Sequence, residues 1–90
     1  MVERNWACRF GEIDLIARDG DDIVFIEVRC RSSGRFGGAL ASVDARKRER
    51  LIATAGYYLA HLPRAHGCRF DVIAVHADGR CDWVRAAFTA

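Results

Sequence analysis

Between Gly11 and Arg31, apolar and polar residues alternate on either side of an Asp19-Gly20-Asp21-Asp22 cluster. No other stretch constrains the fold as strongly. A period of two belongs to a strand with two distinct faces, and the Asp/Gly cluster supplies a turn. The pattern predicts a hairpin of two strands, Gly11 to Arg18 and Ile23 to Arg31. A loop at Gly20-Asp21 sets Asp14 opposite Glu27 and Glu12 opposite Arg29. A loop at Asp19-Gly20 sets Glu12 opposite Glu27 and Asp14 opposite Phe25. Both registers sort the side chains into the same two faces.

One face carries Ile13, Leu15, Ala17, Val24, Ile26, Val28 and Cys30. It is wholly apolar and is expected to be core. The other places Ile16, Ile23 and Phe25 near the turn and Glu12, Asp14 and Glu27 at the far end, with Arg29 and Arg31. Like charges on neighbouring strands repel. Three carboxylates gathered at one end therefore need positive charge among them. A divalent cation such as Mg²⁺ or Mn²⁺ supplies it through hard oxygen ligands. Ion pairs to Arg29 and Arg31 would supply it too, and the hairpin alone leaves both readings open.

Beyond the hairpin, Arg31 to Gly38 reads as a Ser/Gly loop. Ser42 is placed to cap a helix running to about Leu62, with Asp44 in its first turn. Cys68 to Ala77 and Arg80 to Ala87 read as a third and a fourth strand. The order β-β-α-β-β predicts an α/β fold: a mixed sheet with an N-terminal antiparallel hairpin and a crossover helix, the strand after the helix running parallel to a neighbour. The 90 residues, 51% hydrophobic and 29% charged, suit one small globular domain. No apolar run approaches a membrane span and no secretory pattern opens the chain, so a cytoplasmic protein without a membrane partner is expected. Cys8, Cys30, Cys68 and Cys81 form no C-x-x-C pair. They are expected to be reduced thiols packed in apolar stretches rather than zinc ligands.

The net charge of +2 conceals an asymmetry. Residues 29–50 hold seven basic and two acidic side chains, and the remainder is net negative. A local basic surface suits a phosphate backbone, with Arg31, Arg35, Arg46, Arg48 and Arg50 as contacts to DNA; the alternative is a solvated helix face. On the helix, Leu51, Ile52, Ala55, Tyr58, Leu59 and Leu62 form an apolar stripe. Asp44 and Arg48 extend it toward the N-terminus, Lys47 lies at its edge, and Arg46 and Arg50 point away. Lys47 or Arg48 would then lean over the acidic end of the sheet, unless these long side chains reach to water. Trp6, Phe36, Trp83 and Phe88 are expected in the core rather than stacked on bases. Arg69 and Asp71 read as a structural polar pair.

At these residues the chain resembles a known family. Asn5-Trp6-x-Cys8-Arg9-x-Gly11-Glu12-Ile13-Asp14-Leu15-Ile16-Ala17-Arg18, then Val24-Phe25-Ile26-Glu27-Val28-Arg29, Phe36-Gly37, Lys47 and Arg69-Phe70-Asp71-Val72, resembles the YraN-type family of bacterial proteins. The resemblance covers nearly the whole chain in order. It implies a restriction-endonuclease-like fold of the PD-(D/E)XK superfamily, with distant similarity to Holliday junction resolvases. Asp14 then corresponds to the superfamily's metal-binding aspartate, Glu27 to the acidic residue of its E-x-K element, and Arg29 to that element's lysine. Glu12 belongs to the family's G-E-x-D signature. The implied metal ligands are Glu12, Asp14 and Glu27, and the implied catalytic set is Asp14, Glu27, Arg29 and Lys47. Two departures stand out. Arginine at 29 stays charged and is a poor proton shuttle. The helix that precedes this stretch in the family has no room before Met1, so residues 1–90 are expected to be a single nuclease domain lacking that first helix. The function implied is metal-dependent hydrolysis of phosphodiester bonds in DNA, branched or damaged DNA included. The alternatives are a non-catalytic nucleic-acid binder and a protein-interaction domain, with a homodimer as a further expectation.

Overall fold

The computed structural model describes residues 2–31 and 43–89, and of Arg31 the backbone only. Arg35, Phe36, Ser42 and the Arg31 side chain, all singled out above, lie outside the described atoms. Five strands and one helix follow in the order β1 (Glu3–Cys8), β2 (Gly11–Asp19), β3 (Asp22–Arg31), α1 (Ala45–Ala60), β4 (Cys68–His76) and β5 (Cys81–Phe88). They build a single mixed sheet in which spatial order equals chain order. All neighbours pair antiparallel except β3 and β4, which are parallel across the helical crossover. The arrangement is a mixed α/β one, consistent with a restriction-endonuclease-like fold. Among the described residues no helix is long and apolar enough to cross a membrane.

The hairpin closes at Gly20-Asp21, with Leu15 opposite Ile26 and Ile16 opposite Phe25. Gly20 at φ 62° supplies the left-handed conformation that such a two-residue turn requires. The strand β1 was not expected. Its sequence shows no alternation, and Asn5 interrupts it at φ 52°, a conformation Asn tolerates better than most residues. Its pairing comes from β2, against which Trp6 meets Ile13 and Ala7 meets Glu12.

The core lies on the face opposite to the one the alternation favoured. Helix α1 covers the mixed face, where Ile16, Ile23, Phe25, Phe70 and Val72 are buried with Leu51, Ala55 and Tyr58. Phe25 stacks on Phe70 at 5.5 Å and meets Tyr58 edge-on at 5.9 Å, and Phe88 stacks on Phe70 at 4.9 Å. Full burial of a side chain such as Phe25 or Phe70 contributes about 1.5–3 kcal/mol. On the wholly apolar face only Val24 and Ile26 are buried; Leu15, Ala17 and Val28 are half-buried and Cys30 is exposed. Ile13 joins the helix-side core despite its opposite parity to Ile16. The β2–β3 ladder runs only from Asp19 to Leu15, and at Asp14 the side chain, not the backbone, takes the Val28 N–H at 2.9 Å. Strand alternation fails at that break.

Three further expectations are corrected. The helix cap is Asp44 in extended conformation, whose carboxylate accepts the Lys47 N–H at 2.9 Å, and the helix ends at Ala60. The cysteines are not core: Cys30, Cys68 and Cys81 are exposed and Cys8 is half-buried, because they sit at or beside strand ends. Trp83 is largely exposed; its indole reaches across the open face to donate to Asp71 at 2.8 Å. Asp71 and Arg69 are the structural pair expected, 3.1 Å apart.

Candidate functional site

The break in the β2–β3 ladder builds the site. Where the strands part, Asp14 and Glu27 come together at the wall of one cavity, close enough for each to shift the other's acidity. Glu27 follows Phe25 on the face that the helix covers, and its side chain is only 8% exposed. Lys47 Nζ reaches it from the first turn of α1, 3.6 Å from Oε2. The expectation that Lys47 leans over the acidic end is met.

The two carboxyl groups are pushed apart in acidity. Burial raises Glu27, and the adjacent Asp14 adds to it through their hydrogen bond and its charge; Lys47 and Arg29 pull the other way, leaving Glu27 at about 7. Burial also acts to raise Asp14. The hydrogen bonds from Glu27 and the Val28 N–H outweigh it, with help from Lys47 and Arg29, and Asp14 lies below its ordinary value. At neutral pH the pair thus holds one negative charge securely and a second one poorly. That is the behaviour of two carboxylates built close together without enough positive charge between them.

A cavity of about 200 Å³ opens onto the pair. Gly11, Glu12, Asp14 and Glu27 line it from the sheet, and Lys47, Arg50, Leu51 and Thr54 line it from the helix. Arg50 was expected to point away. Residues 47, 50, 51 and 54 follow i, i+3, i+4, i+7 spacing and share one helix face, so the sequence held the signal for Arg50 and Thr54. Thr54 is fully buried and donates to the Arg50 carbonyl at 2.7 Å. Gly11 was also overlooked. Its φ of 151° and the Thr54 hydroxyl, 3.0 Å from where a Cβ would stand, exclude larger residues. Arg46 and Arg48 are exposed on the same helix but do not line the cavity.

The cluster of three carboxylates expected from the hairpin is a pair. Glu12 borders the cavity but is exposed, because it lies beyond the β2–β3 ladder and pairs with β1 instead. Among the described residues no group of three His, Cys, Asp or Glu stands close enough to hold a metal ion. The donor set of Asp14 and Glu27 nonetheless fits Mg²⁺, which takes one or two carboxylates and completes its shell with water and substrate phosphate. Arg29, two residues beyond Glu27 on the same strand, is half-buried, and its Nε is buried without a hydrogen-bond partner among the described residues. An unpaired buried donor of this kind is costly unless a ligand reaches it.

Comparison with known proteins supports the family resemblance carried by the motifs. A sequence model of the uncharacterised protein family UPF0102 matches residues 1–75. The chain is 49% identical over 94 residues to a UPF0102 protein of Ectopseudomonas mendocina, spanning all of this chain and 79% of that relative. It is 51% identical over 90 residues to one from Nitrosomonas europaea, covering 98% of this chain and 76% of the relative. A Stutzerimonas stutzeri relative is 52% identical over 93 residues, with 98% and 78% covered.

Proposed function

The chain belongs to the uncharacterised protein family UPF0102, and from that premise and the geometry of its cavity we propose that it is a metal-dependent nuclease hydrolysing phosphodiester bonds. The observation that carries this reading is the Asp14–Glu27 pair at the ladder break, short of positive charge, with Lys47 at 3.6 Å and a cavity at its mouth. Asp14 and Glu27 would hold Mg²⁺ or Mn²⁺, with Glu12 reaching in from the rim. When bound, the cation supplies charge stabilisation at the phosphoryl oxygens and a more acidic water. Lys47 would leave Glu27 for a phosphate oxygen as the carboxylate gains its ligand. Arg29 stays charged throughout and, from behind the pair, would add its positive charge to stabilise developing negative charge on the phosphate. Arg50 at the cavity wall, and Arg46 and Arg48 further round the exposed helix, would track the backbone of the nucleic acid.

A nicking assay on supercoiled plasmid in Mg²⁺ and Mn²⁺ tests the proposal. Cleavage by the wild type, reduced by roughly two orders of magnitude or more in Asp14→Asn and Glu27→Gln, is the expected result. Equal rates in all three proteins would overturn it. One observation favours a second reading. By the resemblance, Arg29 replaces the lysine of the E-x-K element and cannot readily shuttle a proton, which suits a non-catalytic nucleic-acid binder on the same scaffold. Arg29→Lys separates the two: it raises the cleavage rate of an enzyme and leaves a pure binder inert.

A further inference from the structure

Beside the cavity runs a strip of rings that phosphodiester hydrolysis does not use. Phe10, in the turn between β1 and β2, is 41% exposed, and Tyr57 on α1 is 36% exposed. Their ring centroids lie 5.7 Å apart, edge to face. Tyr57 continues the strip to His61 at 4.5 Å and to the half-buried Trp6 at 6.2 Å. The Arg9 guanidinium lies over the Phe10 ring, 4.9 Å from its centroid. Scattered apolar side chains on a surface need no explanation, but contiguous exposed rings mark a contact surface.

The position of this strip is specific. Phe10 directly precedes Gly11, Tyr57 follows Thr54 by three helical residues, and both Gly11 and Thr54 line the cavity. The turn is tight against the helix, since a Cβ on Gly11 would stand 3.0 Å from the Thr54 hydroxyl. Three residues advance a helix by about 4.5 Å. The rings therefore begin just beyond the rim of the cavity that holds the Asp14–Glu27 pair. Arg9 on one side and Arg50 on the other give this shelf positive charge, which suits a ligand that is aromatic and anionic together. A nucleotide with an unpaired base has that chemistry: its face stacks on rings and its phosphate meets arginine. Bases inside an intact duplex are stacked on one another and show only their groove edges.

We propose that the Phe10–Tyr57 shelf, with Arg9, stacks an unpaired base next to the phosphate held at the Asp14–Glu27 site, so that the substrate class is nucleic acid single-stranded at that point. This rests on the nucleic-acid reading of the cavity. Fluorescence anisotropy in EDTA, where no cleavage occurs, tests it with labelled single-stranded DNA, RNA of the same sequence and the blunt DNA duplex at one salt concentration. The proteins are the wild type, Phe10→Leu, the pair Phe10→Leu with Tyr57→Leu, and Tyr57→Trp, each checked for folding by thermal melting. The wild type should favour a single strand over the duplex, and the DNA and RNA arms identify which. The paired leucine variant should lose about tenfold or more on the single strand and less than twofold on the duplex. Tyr57→Trp should retain binding, and should decide the matter with Phe10→Leu where the pair does not fold. Equal losses on both substrates, no loss on the single strand, or loss in Tyr57→Trp would overturn the shelf. If the wild type binds duplex but shows no preference for single strands, the shelf alone fails. If it binds no nucleic acid, the reading of the cavity fails with it.

Discussion

Two acidic centres lie on adjacent strands of this sheet, and they are built in opposite ways. Asp71 on β4 is buried completely, and every charge on it is answered. It accepts from Arg69 Nε at 3.1 Å, Trp83 Nε1 at 2.8 Å and the Ala86 N–H at 2.9 Å. The last of these holds Ala86 at φ 50°, where the β4–β5 register shifts between Phe70 and Val72. Glu27 on β3 is nearly as inaccessible, yet it faces another carboxylate, with one lysine at 3.6 Å and the charge of Arg29 to offset it. Asp71 closes a joint in the fold. The Asp14–Glu27 pair leaves positive charge wanting and opens to a cavity. A buried carboxylate with a full set of donors is structural; one without it keeps room for a ligand.

The contrast can be broken most severely at Asp71. Asp71→Ala strands the indole and Ala86 N–H groups and leaves Arg69 with only Asp19, and should cost about 3–5 kcal/mol. Urea unfolding would show it as a lowered midpoint with unchanged slope. Trp83→Phe removes one donor only and should cost on the order of 1–2 kcal/mol in the same experiment.

At Glu27 the sign reverses. Glutamate in the unfolded chain titrates near 4.5 and folded Glu27 at about 7. Between these values the folded state keeps a proton that the unfolded chain has released, so Glu27 contributes a fall in stability as pH rises from about 4.5 to about 7. Glu27→Gln keeps a hydrogen-bonding partner for Asp14 and cannot ionise. It should flatten that slope and stabilise the protein at pH 8 by on the order of 1 kcal/mol. Melting temperatures of both proteins from pH 4 to 8 check it; parallel curves would place Glu27 among the satisfied carboxylates. The smallest effect belongs to the solvent-exposed Arg64–Asp21 ion pair, where Arg64→Ala should leave the urea midpoint essentially unchanged.

Much of this was legible in the sequence where local chemistry decides. The alternation of Gly11–Arg31 and the Asp/Gly turn marked the hairpin and narrowed its register to two, of which the one that sets Asp14 opposite Glu27 is realised. The helical spacing put Lys47 within reach of them. The rest depended on what packs where. Alternation separates two faces but does not say which one the crossover helix will cover, and here it covers Ile16, Ile23 and Phe25 rather than the wholly apolar side. Strand β1 has no periodicity of its own and exists because β2 offers it an edge. Glu12 left the carboxylate cluster because the β2–β3 ladder ends at Leu15, a break invisible in a pattern of twos. Arg50 and Thr54 were readable from their spacing to Lys47, had the helix face been centred there.

Cation binding tests the central claim most directly. Mn²⁺ titrated into the wild type by calorimetry should bind one site with measurable heat and raise the melting temperature by linkage. The double variant Asp14→Asn with Glu27→Gln should show neither effect, while Arg64→Ala should bind as the wild type does. Absence of binding in the wild type, or equal binding in the double variant, would contradict the account of Asp14 and Glu27 as a ligand-ready pair.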